Sequence, residues 1–462
     1  MMKRPLKIPA LAGSVLLAVA LAATGCGTTS GGGSSSPAGD GSVPEGNAVS
    51  GTSLELMTVD GVQYPKLEIP DKKITFLSHW DENGTELKED LERLKKVYGV
   101  EVECIKTTYT QLPTRLTSLQ ASGDAPDVFL YYNAGYPSMF AKDMFLPIDD
   151  FVDFEDGFWA PAKNASDLLM WKDKHYMVAG AGVARFIWYN KTILDRNALT
   201  DPLELYRAGT WTWETLIEYA AELTQDTDAD GNLDQWGLGG NSFLGAMMAS
   251  KNTEMVTMED GVITNNVKSA DIDTVMNLLY QITNVDRSFI WDWQNLFRSG
   301  NLAMVYEGSW ITSGDEILTQ MLKDGEISFV PHPKFEGQAE NRMQAEYSGF
   351  LIPKGAKNIE GARAFITYNF AYDRSETSRI LWEEQRKADG WSDDMIALYK
   401  EMNFGDDVLT GKPALTCGDS LRFAWEPMRR MQDGAETWAA MKEEFYPLYQ
   451  AEIDKETANM GS

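Results

Sequence analysis

WKDKHYMVAGAGVARFIWYNKTILD occupies residues 171–195, and the architecture of the whole chain depends on what this segment does. It opens with a polar turn at Lys172, Asp173 and Lys174 and continues as an extended apolar run interrupted by Gly180 and Gly182. Small residues within an extended run let the backbone bend or let another group approach closely. Trp188 and Tyr189 follow the bend, beside Asn190 and Lys191. Flat amphipathic rings at such a place suit a sugar face. The alternative is a buried strand with a bulge, and the rest of the chain bears on the choice.

At 462 residues the chain exceeds one ordinary core and is expected to form two lobes. Its 41 basic and 69 acidic residues leave a formal charge of −28, which argues against nucleic acid, since phosphate binding needs clustered Lys and Arg. The same balance points weakly to an uncharged ligand. Fourteen Trp and 18 Tyr leave rings for recognition after the core is filled.

Residues 1–25 carry Lys3, Arg4 and Lys7 and then an apolar stretch that ends in Ala23-Thr24-Gly25 before Cys26. A basic head, a short apolar run and small residues describe a secretory signal, whereas a membrane-spanning helix needs about 20 apolar residues. The segment resembles a bacterial lipoprotein signal, in which the Cys becomes the lipid-bearing first residue, with Ala23 departing from the usual Leu. Residues 26–70 begin as a Gly, Ser and Pro run with little to bury, which reads as a flexible tether. Anchor and tether together place the folded part just outside a membrane. Cys104 and Cys417 are left as either a long-range disulfide or two buried thiols.

The folded part is expected from about Asp71. Strands at 73–78, 100–106 and 126–130 alternate with helices at 86–98 and 111–121, the pattern of a parallel sheet flanked by helices. Ligands of such α/β sheets gather at the carboxyl ends of the strands, where His79, Trp80 and Asp81 and then Tyr131, Tyr132 and Asn133 stand. Rings with carboxylates and amides form a carbohydrate-recognising set.

Ser122-Gly123-Asp124-Ala125-Pro126-Asp127-Val128 followed by Phe145-Leu146-Pro147-Ile148-Asp149 resembles a stretch of the extracellular solute-binding proteins of bacterial ABC importers, the maltose-binding-like group. Trp171 to Val178 with Trp188-Tyr189-Asn190-Lys191 is similar to that family's turn and strand, with Asp173-Lys174 in place of Asp-Gly and Ala179 where Pro is common. Thr210-Trp211-Thr212-Trp213-Glu214 resembles its helix start, and Phe297 to Met304 with Gly308-Ser309-Trp310 resembles a later stretch. The matches keep family order from about Ile74 to Phe370.

The resemblance implies two α/β lobes in a periplasmic-binding-protein-like, Venus-flytrap fold, crossed at 180–184 and between 329 and 348. One lobe would comprise 71–184 and 346–390, the other 185–345 and 391–462. It further implies hinge closure over a sugar, delivery to the importer's transmembrane subunits, action as a monomer, an extracytoplasmic site at the cell membrane and no catalysis. Ligand contacts are then expected from Trp80, Asp81, Tyr132 and Asn133 in one lobe, Arg185 and Trp188 at the hinge exit, Asn241, Glu307 and Trp310 in the other lobe, and Tyr347 at the return crossing.

Asp226, Asp228, Asp230 and Asp234 take positions one, three, five and nine of a calcium-loop pattern with Gly231 at six, but Gly237 replaces the Glu of position twelve. The reading is left between a structural calcium site and a polar turn; no cofactor is otherwise required. Three His without metal-ligand spacing give no support to zinc or a His-based triad. The enzyme alternative is a secreted glycoside hydrolase working with a carboxylate pair. A scaffold role lacks the repeats it would need.

Overall fold

A computed structural model describes residues 54–81, 84–132, 135–240, 243–259, 261–404, 408–415, 417, 426–434 and 436–460. The leader, Cys26, residues 27–53, Asn133 and Asn241 lie outside the described residues. Two mixed sheets, each with apolar layers on both faces, form the two lobes.

The expected tether ends earlier than residue 70. Leu56–Val59 (β1) and Val62–Pro65 (β2) pair as a hairpin through Asp60-Gly61, both at positive φ. Asp-Gly at this position favours the tight turn that matches strand twist. Tyr64, 2% exposed, stacks on Tyr368, so the segment is part of the first lobe's core rather than a linker.

In the first lobe Lys73–Ser78 (β3) lies between Glu101–Lys106 (β4) and Val128–Tyr132 (β5), parallel to both. Glu346–Pro353 (β16) adds antiparallel to β5 and also pairs with Phe145–Leu146 (β6). Side chains alternate between the two faces, so Phe76, Val128 and Leu130 pack in one layer and Leu77, Phe129 and Tyr131 in the other. Asp127, in the sequence motif before β5, is buried and accepts from Thr75 N and Oγ1 and from Lys357 N and Asn358 N at 2.8–3.0 Å. One carboxylate thereby ties β3 to the start of helix Ile359–Asp373.

The second sheet runs in the order Phe289–Ile290 (β12), Trp236–Gly239 (β9), Leu302–Gly308 (β13), Arg185–Asn190 (β8), Ile327–Val330 (β14). β8 is antiparallel to both its neighbours. The helix start expected at Thr210–Glu214 is capped, Thr212 Oγ1 accepting from Thr215 N, and Asn190 Oδ1, accepting from Ile193 N, caps a further helix. Val256–Glu259 (β10) and Val262–Asn265 (β11) form a hairpin at the lobe's edge. Asn265 Nδ2 donates to Tyr446 O and Gln450 Oε1 on the last helix, Trp438–Met460.

The lobes join through Gly180–Gly182 (β7), which pairs antiparallel with the start of β16 in the register Gly182↔Glu346, Ala181↔Tyr347, Gly180↔Ser348. Neither Gly180 nor Gly182 takes a positive φ; the two crossings run as paired strands, not as a sharp bend. A third connection brings Arg342–Met343 (β15) beside Leu409–Thr410 (β17). The expected lobe boundary at 390 shifts toward the N-terminus. Trp382, on helix Glu376–Asp389, stacks on Tyr399 at 4.8 Å and meets Trp391 at 6.0 Å, inside the second lobe's core. The final helix also reaches the first lobe, where Ser138 Oγ donates to the buried Glu456.

Candidate functional site

Several strand ends converge where the lobes meet. Arg185 opens β8 directly after the crossing, Glu307 stands near the end of β13, and Glu346 opens β16. The Arg185 guanidinium contacts Glu346 through Nη1, lies 3.8 Å from Glu307 Oε1 through Nε, and rests over the Trp310 ring at 5.1 Å. The three charged side chains are only 20%, 13% and 19% exposed, so solvent screens them weakly. Glu307 Oε1 also accepts from Gly308 N at 2.9 Å. Gly308 is needed here, because a Cβ would stand 2.2 Å from the Trp310 ring.

The first lobe contributes the residues after β3 and β4. Trp80 packs edge-on against Phe76 and Phe350 at 5.8 and 6.1 Å, leaving it half-buried at the lip of the core. Asp81 pairs with Lys106 at 3.3 Å in a largely solvated position. Tyr109 meets His79 edge-on at 5.5 Å and is 49% exposed, yet burial raises its phenol while the Arg185 charge opposes that rise. Burial lowers His79, which favours its neutral form.

Arg185, Glu307 and Trp310 thus form one cluster with Glu346, while Trp80 and Asp81 stand after β3 beside His79, whose neighbour Tyr109 feels the Arg185 charge. Two expected contacts are corrected. Trp188 is wholly buried: its Nε1 donates to Gly308 O at 3.1 Å and its ring packs between Phe329 and Trp391. Both faces of β8 are covered, Phe186 and Trp188 by one apolar layer and Ile187 and Tyr189 by the other, so a ring in mid-strand is buried whichever way it points. Tyr347 is 1% exposed and sits in the first lobe's core, its hydroxyl 3.4 Å from Gly411 O and Thr410 Oγ1. Its neighbour Glu346 is the one that reaches the junction. Tyr132 ends β5 with its backbone paired to Ser348.

The sequence reading did not include Glu346, Tyr109 or Lys106. Glu346 stands one residue from the ring chosen, and only the register of β16 separates them. Tyr109 followed a strand that the pattern had identified, so the rule of carboxyl-end loops applied to β4 would have found it.

At the acidic turn, carboxylates of Asp226, Asp228 and Asp234 lie within 4.8 Å of one another. Asp226 accepts from Asp230 N and Gly231 N, and Asp228 from Asp230 N. Hydrogen bonds from Thr227 hold Asp234 below the ordinary carboxylate range. Asp230, expected as a further ligand, instead accepts from Asn232 N and Nδ2. Gly237 has no room for the missing Glu, because a Cβ there would fall 1.9 Å from Ala220 O.

A surface hollow of about 410 Å³ lined by Glu426, Arg429, Arg430, Asp433, Glu436 and Glu444 lies apart from the junction. Its two arginines are already paired with its acids, as an exposed ion-pair network.

The sequence matches the family of bacterial extracellular solute-binding proteins over residues 78–371, well over half of its length, and the chain belongs to that family. Its fold is that of two-lobed binding proteins. The substrate-binding protein Lmo0181 of Listeria monocytogenes, solved with cycloalternan, shares 15% identity and a TM-score of 0.61, with 85% of this chain and 100% of that one covered. The maltose/maltodextrin-binding domain MalE of Bdellovibrio bacteriovorus, bound to maltotriose, gives 18%, 0.59, 84% and 100%. UgpB of Mycobacterium tuberculosis, in complex with glycerophosphocholine, gives 15%, 0.62, 84% and 100%. Among curated proteins none matches the sequence. No helix among the described residues is long and apolar enough to cross a membrane.

Proposed function

We propose that this chain is the extracytoplasmic receptor of an ABC importer, taking up an oligosaccharide between its two lobes and handing it to the importer's membrane subunits. The observation that carries the reading is the cluster of Arg185, Glu307 and Trp310 with Glu346 of the first lobe, beside the paired crossing strands and within electrostatic reach of Tyr109. Rings offer sugar faces a surface, and the charged groups offer partners to hydroxyls. A ligand touching both lobes stabilises the closed arrangement by the contacts it makes only there.

The basic head, apolar run and Cys26 support a cleaved signal and a lipid anchor, with the Gly- and Ser-rich run after Cys26 as the tether. The protein would act as a monomer, without catalysis and without a cofactor. The acidic balance favours an uncharged cargo. Calorimetric titration of the soluble chain against plant and bacterial oligosaccharides, with product analysis, tests the reading. Saturable one-to-one binding with the sugar recovered intact is expected. Conversion of the sugar to shorter products would overturn it and make the acids of the junction candidates for a hydrolytic pair.

A further inference from the structure

The aromatic faces of the junction would serve any sugar, but the charged group between them is more selective. Arg185 contacts the Glu346 carboxylate and lies beside that of Glu307, the three side chains coming from different strands at the point where the lobes meet. An arginine left to itself here would be an anion site, since its fork matches a carboxylate with two parallel hydrogen bonds. This one is occupied. Glu346 engages Nη1, Glu307 stands 3.8 Å from Nε, and Trp310 covers a face at 5.1 Å. The other described cation of the site, Lys106, is paired with Asp81.

We propose that Glu307 and Glu346 determine specificity by charge, occupying Arg185 so that the junction rejects sugars carrying carboxylate groups and admits uncharged ones. The inference rests on the carbohydrate-binding reading and adds the residues that would set its charge preference. One guanidinium faces two carboxylates, so the group as a whole is anionic. A uronate approaching Arg185 would have to sit against one or both acids, and like charges brought together in a weakly screened site disfavour binding strongly. An uncharged sugar meets no such opposition. Its hydroxyls can donate to the carboxylates, and one can accept from Arg185 Nε, which is buried without a hydrogen-bond partner. His79 adds no compensating positive charge, because burial favours its neutral form.

The test uses the soluble chain and a panel of neutral oligosaccharides, each matched with the same sugar oxidised at C6 to the uronate, titrated calorimetrically against wild type, Glu307→Gln and Glu346→Gln. For the neutral sugar that binds, its uronate is expected to bind about a hundredfold more weakly to wild type, and either substitution is expected to recover at least about tenfold of that difference. Equal or tighter binding of a uronate by wild type would overturn the proposal. So would variants that melt like wild type yet gain no uronate affinity. Failure of every sugar, neutral or acidic, to bind would overturn the carbohydrate reading itself, a result distinct from neutral binding without charge discrimination.

Discussion

Asn403 holds both backbone groups of Val183. Its Oδ1 accepts from Val183 N at 2.9 Å, and its Nδ2 donates to Val183 O at 3.1 Å. Val183 is the first of the two residues between β7 and β8, so a side chain on helix Asp393–Phe404 fixes the crossing just before Arg185 emerges. Asn403→Ala leaves a buried N–H and C=O without these partners, and a loss of about 2–4 kcal/mol is expected in denaturant unfolding. Asn403→Asp keeps the acceptor and loses the donor, and is expected to fall between the two. A melting curve unchanged by Asn403→Ala would show that the crossing is held by its strand pairing alone.

Two tryptophans chosen by the same sequence argument should separate by what they affect. Trp188→Ala opens a cavity beside Phe329 and Trp391 and is expected to reduce stability by about 3–5 kcal/mol. Trp310→Ala, at the half-buried edge under Arg185, is expected to weaken sugar binding by about 2 kcal/mol while changing stability far less. Chemical denaturation and calorimetric titration on both variants check the distinction.

Acid should weaken the fold through His332. It is fully buried, its Nε2 accepts from Gln344 N at 2.9 Å, and burial pushes it down from 6.5 to about 4. The folded protein therefore resists a proton that the unfolded chain accepts. Its contribution is present above pH 6.5 and is lost as pH falls toward about 4, by as much as about 3 kcal/mol. Glu254 acts in the opposite sense. Burial pushes its carboxyl up to about 8 from 4.5, so its penalty grows as pH rises from 4.5 to about 8. Unfolding midpoints measured across this range are expected to fall less steeply on the acid side for His332→Gln and to rise near neutrality for Glu254→Gln.

The turn at 226–234 is expected to stand without calcium. Backbone N–H groups already bond Asp226 and Asp228, and position twelve cannot carry a ligand. Equal melting temperatures in millimolar calcium and in chelator are the expected result. A rise of several degrees with calcium, abolished by Asp226→Asn, would show that the turn does take the ion.

Residue order carried the local and periodic features. The alternation of strands and helices from residue 73 to 130 was legible because each element carries its own apolar period and its own stop, as Gly99 and Gly123 do in left-handed conformations. The helix start at Thr212 was legible through its resemblance to a family stretch. The hairpin at 56–65 lay inside the expected tether, because the Gly and Ser run before it outweighed the turn signal of Asp60-Gly61. The tertiary structure alone decided which side chains meet. Trp188 and Arg185 lie on one strand and face opposite ways; Glu346 and Tyr347 are adjacent and divide between the junction and the core. The pairing of Arg185 with Glu307 and Glu346, and the grip of Asn403 on Val183, join positions more than 120 residues apart. Side-chain direction in a strand reverses with every residue, and long-range partners leave no periodic trace, so a site assembled from strand ends takes its form only when the lobes pack.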